Sequence, residues 1–217
     1  MSAGLSIGIP TGTLLADSCA LITQAGVAPL DAASFAQVLR AQMGTHEFFR
    51  IRPTDVPTYV GMGACDIGIV GKDVLWETEQ EVYELVDLGF GPCRLVLAAP
   101  RNSQMAQGAW PKGLRVGTKY PSATRRFLDE QGVPAELLKL HGSVELAPLT
   151  GLVDAVTDLT VTGRTLAAND LVEVTEINRS TARLIVNQAS LKTRFEIVMS
   201  VVSALRDAVA AQVHAAP

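Results

Sequence analysis

"LRVGTKYPSATRRFLDEQGVPAELLKLHG" (residues 114–142) decides the fold. "LRVGTKY" reads as a strand, "PSATRRFLDEQG" as a helix, and "AELLKLHG" as a second strand. The stretch matters because it starts a pattern that the chain has already run once. "LSIGI" (5–9) reads as a strand, "PTGT" (10–13) as a turn, and "LLADSCALITQAG" (14–26) as a helix stopped by Gly26. "FFRIR" (48–52) is the next strand. "PTDVPTYVGMGA" (53–64) gives a turn, a short helix and a glycine break. "CDIGIVG" (65–71) is a strand that runs into a helix start at "KDVLWETEQ" (72–80). Strands at 83–89 and 93–100 follow, then a loop holding Asn102, Ser103, Gly108 and Pro111.

Beyond residue 142 the alternation continues. "SVELAPLTG" reads as a short helix, "LVDAVTDLTV" as a strand, and "TGRTLAAND" as a turn with a short helix. "LVEVTEI" and "ARLIVNQ" are strands, and 188–214 reads as one long helix. Strands alternating with helices predict an α/β fold with mostly parallel sheets. The restart predicts two lobes: residues 1–94 with 183–217, and residues 95–182. Ligands of such sheets bind beyond the strand carboxyl ends, and two lobes make a cleft between them. In the last helix Leu191, Phe195, Val198, Val202, Leu205 and Val209 form one apolar stripe. Core packing explains it; Ile197, Val201 and Ala208 widen it enough for a subunit interface.

The 217 residues are enough for one large or two small domains, and at 48% apolar and 18% charged the chain is not disordered. A net charge of -4 argues against nucleic acid and against an anionic membrane surface. It leaves room for a small phosphorylated substrate. Cys19, Cys65 and Cys93 are odd in number and lack metal spacing, which predicts buried free thiols in a reducing cytosol. With no leader pattern and no apolar run near a membrane span, the expected place is the cytoplasm. His46, His141 and His214 have no metal-ligand spacing.

The richest chemistry lies in "DAVTDLTVTGRTL" (154–166). A strand that ends in Thr-Gly-Arg-Thr ahead of a helix can aim several backbone N–H groups and a helix N-terminus at one anion. Gly163 permits close approach or a positive φ. Thr162 and Thr165 offer hydroxyls, and Arg164 offers a planar charged fork. Asp158 can reach ribose hydroxyls or a metal-bound water while a phosphate sits in the turn. An N-capped helix with an exposed arginine would use the same residues.

This stretch resembles the phosphoribosyl-diphosphate (PRPP) signature of the ATP phosphoribosyltransferase family. Other segments resemble the family in order: "RPTDVPTYV" (52–60), "DIGIVGKDVL" (66–75), "VYELVDLGFGPCRLVLA" (82–98), "VGTKYPSATRRF" (116–127), "LKLHGSVELAPLTGLVDAV" (138–156) and "ARLIVNQASLK" (182–192). The length resembles the family's short form, which lacks a C-terminal regulatory domain. The resemblance implies a two-lobed fold of the type II periplasmic-binding-protein kind. It implies a reaction joining N1 of the ATP adenine to C1 of PRPP, the first step of histidine biosynthesis. It also implies Mg²⁺, self-association, and a separate regulatory subunit similar to histidyl-tRNA synthetase.

By position, the resemblance assigns Glu145 and Asp158 to the PRPP ribose and the metal, directly or through water. It assigns Thr162, Gly163, Arg164 and Thr165 to the 5′-phosphate. Thr11, Gly12, Arg52, Lys72 and Asp73 fall on the ATP side, with Arg52 and Lys72 as catalytic candidates and Lys119 in "TKYP" as a further one. Plainer roles exist for several: Glu145 as a helix cap, Lys72 and Asp73 as a solvated helix start, Arg52 paired with Asp55, and Asp154 as an exposed strand residue. The chain also departs from the family's pattern. Thr11 and Thr13 stand where Lys and Arg are common, Gln37 lies nearest another missing cation, with Arg40 as its possible substitute, and His141 replaces a Tyr. These departures leave open a weakened homologue that binds nucleotide or serves as a regulatory subunit.

Overall fold

The computed structural model describes residues 4–215. The chain divides into two compact units, residues 1–91 with 181–217, and residues 92–180.

The first unit is built on strands β1 (Ser6–Pro10), β2 (Arg40–Met43), β3 (His46–Ile51), β4 (Ile67–Gly71), β5 (Val82–Asp87) and, after the excursion through the second unit, β11 (Ala182–Asn187). They lie in the order β2-β3-β1-β4-β11-β5. Helices α1 (Leu15–Gln24), α2 (Ala32–Phe35), α3 (Val56–Gly61) and α4 (Lys72–Glu77) come from the N-terminal half, and α8 (Gln188–Thr193) and α9 (Phe195–Ala215) close the chain. Helices α1, α2 and α9 bury Leu21, Ile22, Phe35, Val198, Val202 and Leu205 on one face of the sheet with Ile7, Ile9, Phe48 and Ile69. Each such aliphatic or aromatic burial contributes about 1.5–3 kcal/mol. On the other face α3 lies almost on the backbone of β4. A Cβ on Gly68 would stand 2.8 Å from Val56 Cγ1 and 2.9 Å from Val60 Cγ2. Glycine is what lets the helix come that close.

The second unit orders its strands β10-β6-β9-β7-β8, with β6 at Cys93–Pro100, β7 at Leu114–Thr118, β8 at Ala135–Lys139, β9 at Ala155–Thr160 and β10 at Leu171–Ser180. Helix α5 (Pro121–Glu130) covers one face, where Leu97, Ala99, Leu114, Val116, Leu128 and Ala155 cluster. Helices α6 (Leu146–Leu149) and α7 (Arg164–Ala168) cover the other, with Val96, Ala98, Ala147, Val156 and Leu166. Alternation along β9 sends Ala155 to the first face and Val156 to the second.

The sheets are mixed rather than mostly parallel. β1 runs parallel to β3 and β4, and β7 runs parallel to β8 and β9. β2–β3, β4–β11, β5–β11, β6–β9 and β6–β10 are antiparallel. The opening β-α-β stretch forms the parallel unit its pattern predicts. β2–β3 is a hairpin with positive-φ Gly44 in its turn. β11 returns after a long excursion, so no crossover helix constrains its direction.

The long C-terminal helix is broken. Arg194 leaves helical geometry at φ -131°, ψ 31°, between α8 and α9. Its guanidinium donates to Asp66 at 2.6 Å and to the Gly4 carbonyl. Asp66 also accepts from the Ser6 amide (2.8 Å), the Ser6 hydroxyl (3.0 Å) and the Ser190 hydroxyl (2.7 Å). This one-residue break lets one carboxylate tie β1, β4, α8 and α9 together. Burial by itself would raise the Asp66 pKa; the Ser6 and Ser190 hydrogen bonds and Arg194 outweigh it and hold it below the ordinary value. Val201 and Ala208 are buried within this unit, so the widened stripe is core. Phe195 is exposed at the break. The side chain of His214 lies outside the described residues.

Candidate functional site

Parallel strands place every polar turn of interest at a carboxyl end. In the first unit β3 and β4 flank β1. The residues just beyond their ends are Arg52, Thr11 and Gly12, and Lys72 and Asp73, so the five nucleotide-side candidates share one edge of one sheet. The Thr11 amide donates to the Ile51 carbonyl at 2.8 Å, which brings the first loop beside Arg52. Gly12 turns the chain at φ 78°. Arg52 is exposed and forms no ion pair with Asp55 among the described residues; the Asp55 carboxylate instead accepts from the Thr54 hydroxyl at 3.3 Å. Lys72 and Asp73 do open α4, and Lys72 pairs with Glu84. Glu84 also meets Arg183 at 3.4 Å, so two cations share that carboxylate.

Neither Arg40 nor Arg50 stands in for the missing cations. Thr11 is half-buried and Thr13 exposed. Arg40 lies on edge strand β2, paired with Glu47. Arg50 donates to the Val38 carbonyl at 2.7 Å.

In the second unit the carboxyl ends of β7, β8 and β9 lead into one cavity of about 330 Å³. Lys119 follows β7, Ser143 and Glu145 follow β8, and Asp158 and the 160–166 turn belong to β9 and its exit. Thr162, Arg164 and Thr165 line it, and all three are exposed. Gly163 takes φ 72° as the residue capping α7. Its own N–H is occupied, donating to the Thr160 hydroxyl at 2.7 Å. The donors left to face an anion are therefore the amides that open α7, which have no carbonyl a turn earlier in the helix, plus two hydroxyls and the Arg164 guanidinium. A Cβ on Gly163 would stand 3.0 Å from Glu173 Oε1, and Arg94 grips that carboxylate with contacts of 2.9 and 3.0 Å.

Asp158 and Asp154 separate completely. Four residues of strand span about 13 Å. Asp154 sits before β9, clasped by Arg115 at 2.9 Å, and that hydrogen bond holds its carboxyl below the usual range. Asp158 enters the cavity. Its Oδ1 is 3.9 Å from Lys119 Nζ and accepts from the Leu159 amide at 2.9 Å. Burial pushes its pKa up, Lys119 and the amide pull it back, and Glu145 adds to the rise. Glu145 is the N-cap residue just before α6, but its side chain makes no capping hydrogen bond. Two carboxylates at one cavity are hard oxygen donors of the kind a divalent cation takes with substrate oxygens and water. Among the described residues no group of three or more His, Cys, Asp or Glu converges.

Sequence reading missed two features here. Ser143 takes φ 45°, a left-handed conformation, beside Glu145 in the cavity wall. Behind the cavity Thr118, Thr124 and Thr157 are fully buried and bonded to one another. The signal available was a threonine at an inward position of each strand, the last of β7 and the middle of β9. His141 is exposed. Of the thiols, Cys19 and Cys65 are buried and Cys93 is only half-buried.

Two α/β units, each with its polar turns gathered at parallel strand ends, define a two-lobed protein of the periplasmic-binding-protein type. Similarity to the alkanesulfonate-binding protein SsuA from Xanthomonas axonopodis pv. citri agrees at the level of fold: TM-score 0.57, 16% identity, 99% of this chain and 80% of that one. Residues 52–207 match the HisG family, ATP phosphoribosyltransferase, and the chain belongs to that family. It is 46% identical over 211 residues to the ATP phosphoribosyltransferase of Moorella thermoacetica, covering 94% of this chain and 92% of that protein. A solved structure, the ATP phosphoribosyl transferase (HisG:HisZ) complex from Thermotoga maritima, matches with TM-score 0.77 and 32% identity, covering 94% of this chain and 98% of that one. No helix among the described residues is long and apolar enough to cross a membrane.

Proposed function

We propose that the chain is the catalytic subunit of an ATP phosphoribosyltransferase, condensing ATP with PRPP in the first step of histidine biosynthesis. The observation that carries the reading is the meeting of Asp158, Glu145, Lys119 and the Thr-Gly-Arg-Thr turn around one cavity of about 330 Å³. N1 of the adenine attacks C1 of the ribose, the C1–O bond to the diphosphate breaks, and its electron pair leaves with pyrophosphate. The 160–166 turn holds the 5′-phosphate through amides, hydroxyls and Arg164. Asp158 and Glu145 hold the ribose hydroxyls and offset the positive charge that grows on the ring. Asp158 and Glu145 would hold Mg²⁺ directly or through water, and the ion would supply charge neutralisation at the leaving diphosphate. Thr11, Gly12, Arg52, Lys72 and Asp73 take the ATP. Orientation of two bound substrates supplies much of the rate, and no covalent intermediate is needed.

One solved relative, 98% of whose chain is covered, comes from a HisG:HisZ complex, which supports a separate regulatory subunit similar to histidyl-tRNA synthetase. The cytoplasm suits this role and three free thiols. A second reading, a homologue that binds but turns over poorly, is favoured by the cation-poor first loop at Thr11 and Thr13 and by the engagement of Arg40 with Glu47. Losing one charged donor at a developing anion costs on the order of 10²–10³ in rate. The test is phosphoribosyl-ATP formation from ATP and PRPP with Mg²⁺, with and without the regulatory subunit. Product under either condition supports the enzyme. PRPP binding with no product under both would select the second reading.

A further inference from the structure

Three threonines the reaction does not touch stand behind the cavity. Thr118 ends β7, Thr157 lies on β9 in register with it, and Thr124 is on α5. All three are fully buried, on the face that is otherwise Leu97, Leu114, Val116 and Ala155. The Thr157 hydroxyl donates to Thr118. The Tyr120 amide also donates to the Thr118 oxygen at 2.8 Å. Thr118 thus accepts twice, and its single proton points to Thr124 at 3.1 Å. Thr124 in turn points to Thr157 at 2.7 Å. The result is a closed ring with one direction, in which each hydroxyl donates once. Such rings strengthen cooperatively in a dry interior.

The next residue after Thr118 is Lys119, and the next after Thr157 is Asp158. These two meet at 3.9 Å in the cavity. Resting on the PRPP reading of that cavity, we infer that the Thr118–Thr124–Thr157 ring is a positioning device: it pins the end of β7 and the middle of β9 to α5 and thereby sets where Lys119 and Asp158 face the pentose substrate. An apolar trio would fill the same space but would leave the two strands free to shift against the helix. Thr124 is the sharpest probe, because it is on α5 and lines no part of the cavity.

The experiment compares Thr124→Val, Thr157→Val, the double variant, and Thr124→Ser and Thr157→Ser, each in steady-state assays of the complete enzyme with its regulatory subunit. Each valine should raise the KM for PRPP about tenfold, well inside the hundredfold that a 1 Å misplacement can cost. The KM for ATP should stay within about twofold. The double variant should match the single ones, because the ring is already open. The serines, which keep the hydroxyl, should recover PRPP binding. An unchanged KM for PRPP in a folded Thr124→Val overturns the inference, as do additive valine effects or serines as impaired as the valines. If a valine variant does not fold, Thr124→Cys, of similar volume and with only a weak donor, takes its place under the same criteria. Asp158→Asn separates the two levels: normal PRPP binding there defeats the site reading itself, whereas weak binding there beside a normal Thr124→Val defeats the ring alone.

Discussion

Gly163→Ala is the most direct probe of the turn proposed to hold the 5′-phosphate. The residue holds φ 72°, and an added Cβ would stand 3.0 Å from Glu173 Oε1. Glu173 cannot swing away freely, since Arg94 holds both its oxygens. A side chain forced into the left-handed region costs about 1–2 kcal/mol. Two outcomes bracket the variant. If the turn keeps its shape, the strain sits in the free protein, and the melting temperature falls by about 2–8 °C while PRPP affinity is little changed. If the turn relaxes to a negative φ, the amides of Arg164 and Thr165 swing away. Restoring them on binding then weakens PRPP by about 5–30-fold, the same energy expressed as affinity. Thermal unfolding together with calorimetric titration of PRPP reads both quantities, and their sum should come to about 1–2 kcal/mol. A variant with wild-type melting and wild-type affinity would refute the reasoning.

Other outcomes follow from the same geometry. Asp158→Asn should weaken PRPP at least about tenfold. Because burial raises the Asp158 pKa, the ionised form is a burden on the fold above that value, so the variant should melt no lower than wild type at pH 8; a clear drop would mark a structural carboxylate. Asp66→Ala removes the ion-pair partner of Arg194 and the acceptor of Ser6 and Ser190, and should cost about 1–3 kcal/mol in chemical denaturation. The native Asp66 pKa lies below the ordinary 3.8, so its contribution is present above pH 3.8 and is lost as the pH falls through the native value. Asp66→Asn should therefore flatten the acid limb of the stability profile, and an unchanged limb would count against the network. Burial pushes Cys65 up to about 12 and Cys19 up to about 11, so at pH 8 in the native state Cys93 should be alkylated well before either, as peptide mapping would show.

Much was legible in the sequence because it is written locally. The β-α-β pattern of 114–142 and its earlier counterpart carry the alternation that makes parallel units. The Thr-Gly-Arg-Thr turn carries its own chemistry, since a glycine at positive φ ahead of a helix needs no distant partner to be recognised. The ordered resemblance placed Glu145, Asp158 and the turn in one group. Parallel strands then brought them to one cavity, because all three strands end on the same edge. What was not legible depended on long-range contacts. The helix break at Arg194 answers to Asp66, which is 128 residues away in the chain. The antiparallel return of β11 depends on where the excursion through the second unit ends.

Sequence alone determined the class of fold, the family, and which short segments gather polar groups at strand ends. These follow from residue type, spacing and order, which survive without a partner. Only the tertiary structure decided that Asp154 and Asp158 serve different ends of one strand, and that the Gly163 amide is already taken by Thr160. It alone showed Lys119 drawn to Asp158, and three buried threonines closing a ring behind them. Each of these is a pairing of groups from different elements, and a hydrogen bond of about 3 Å is settled by packing rather than by neighbours in the chain.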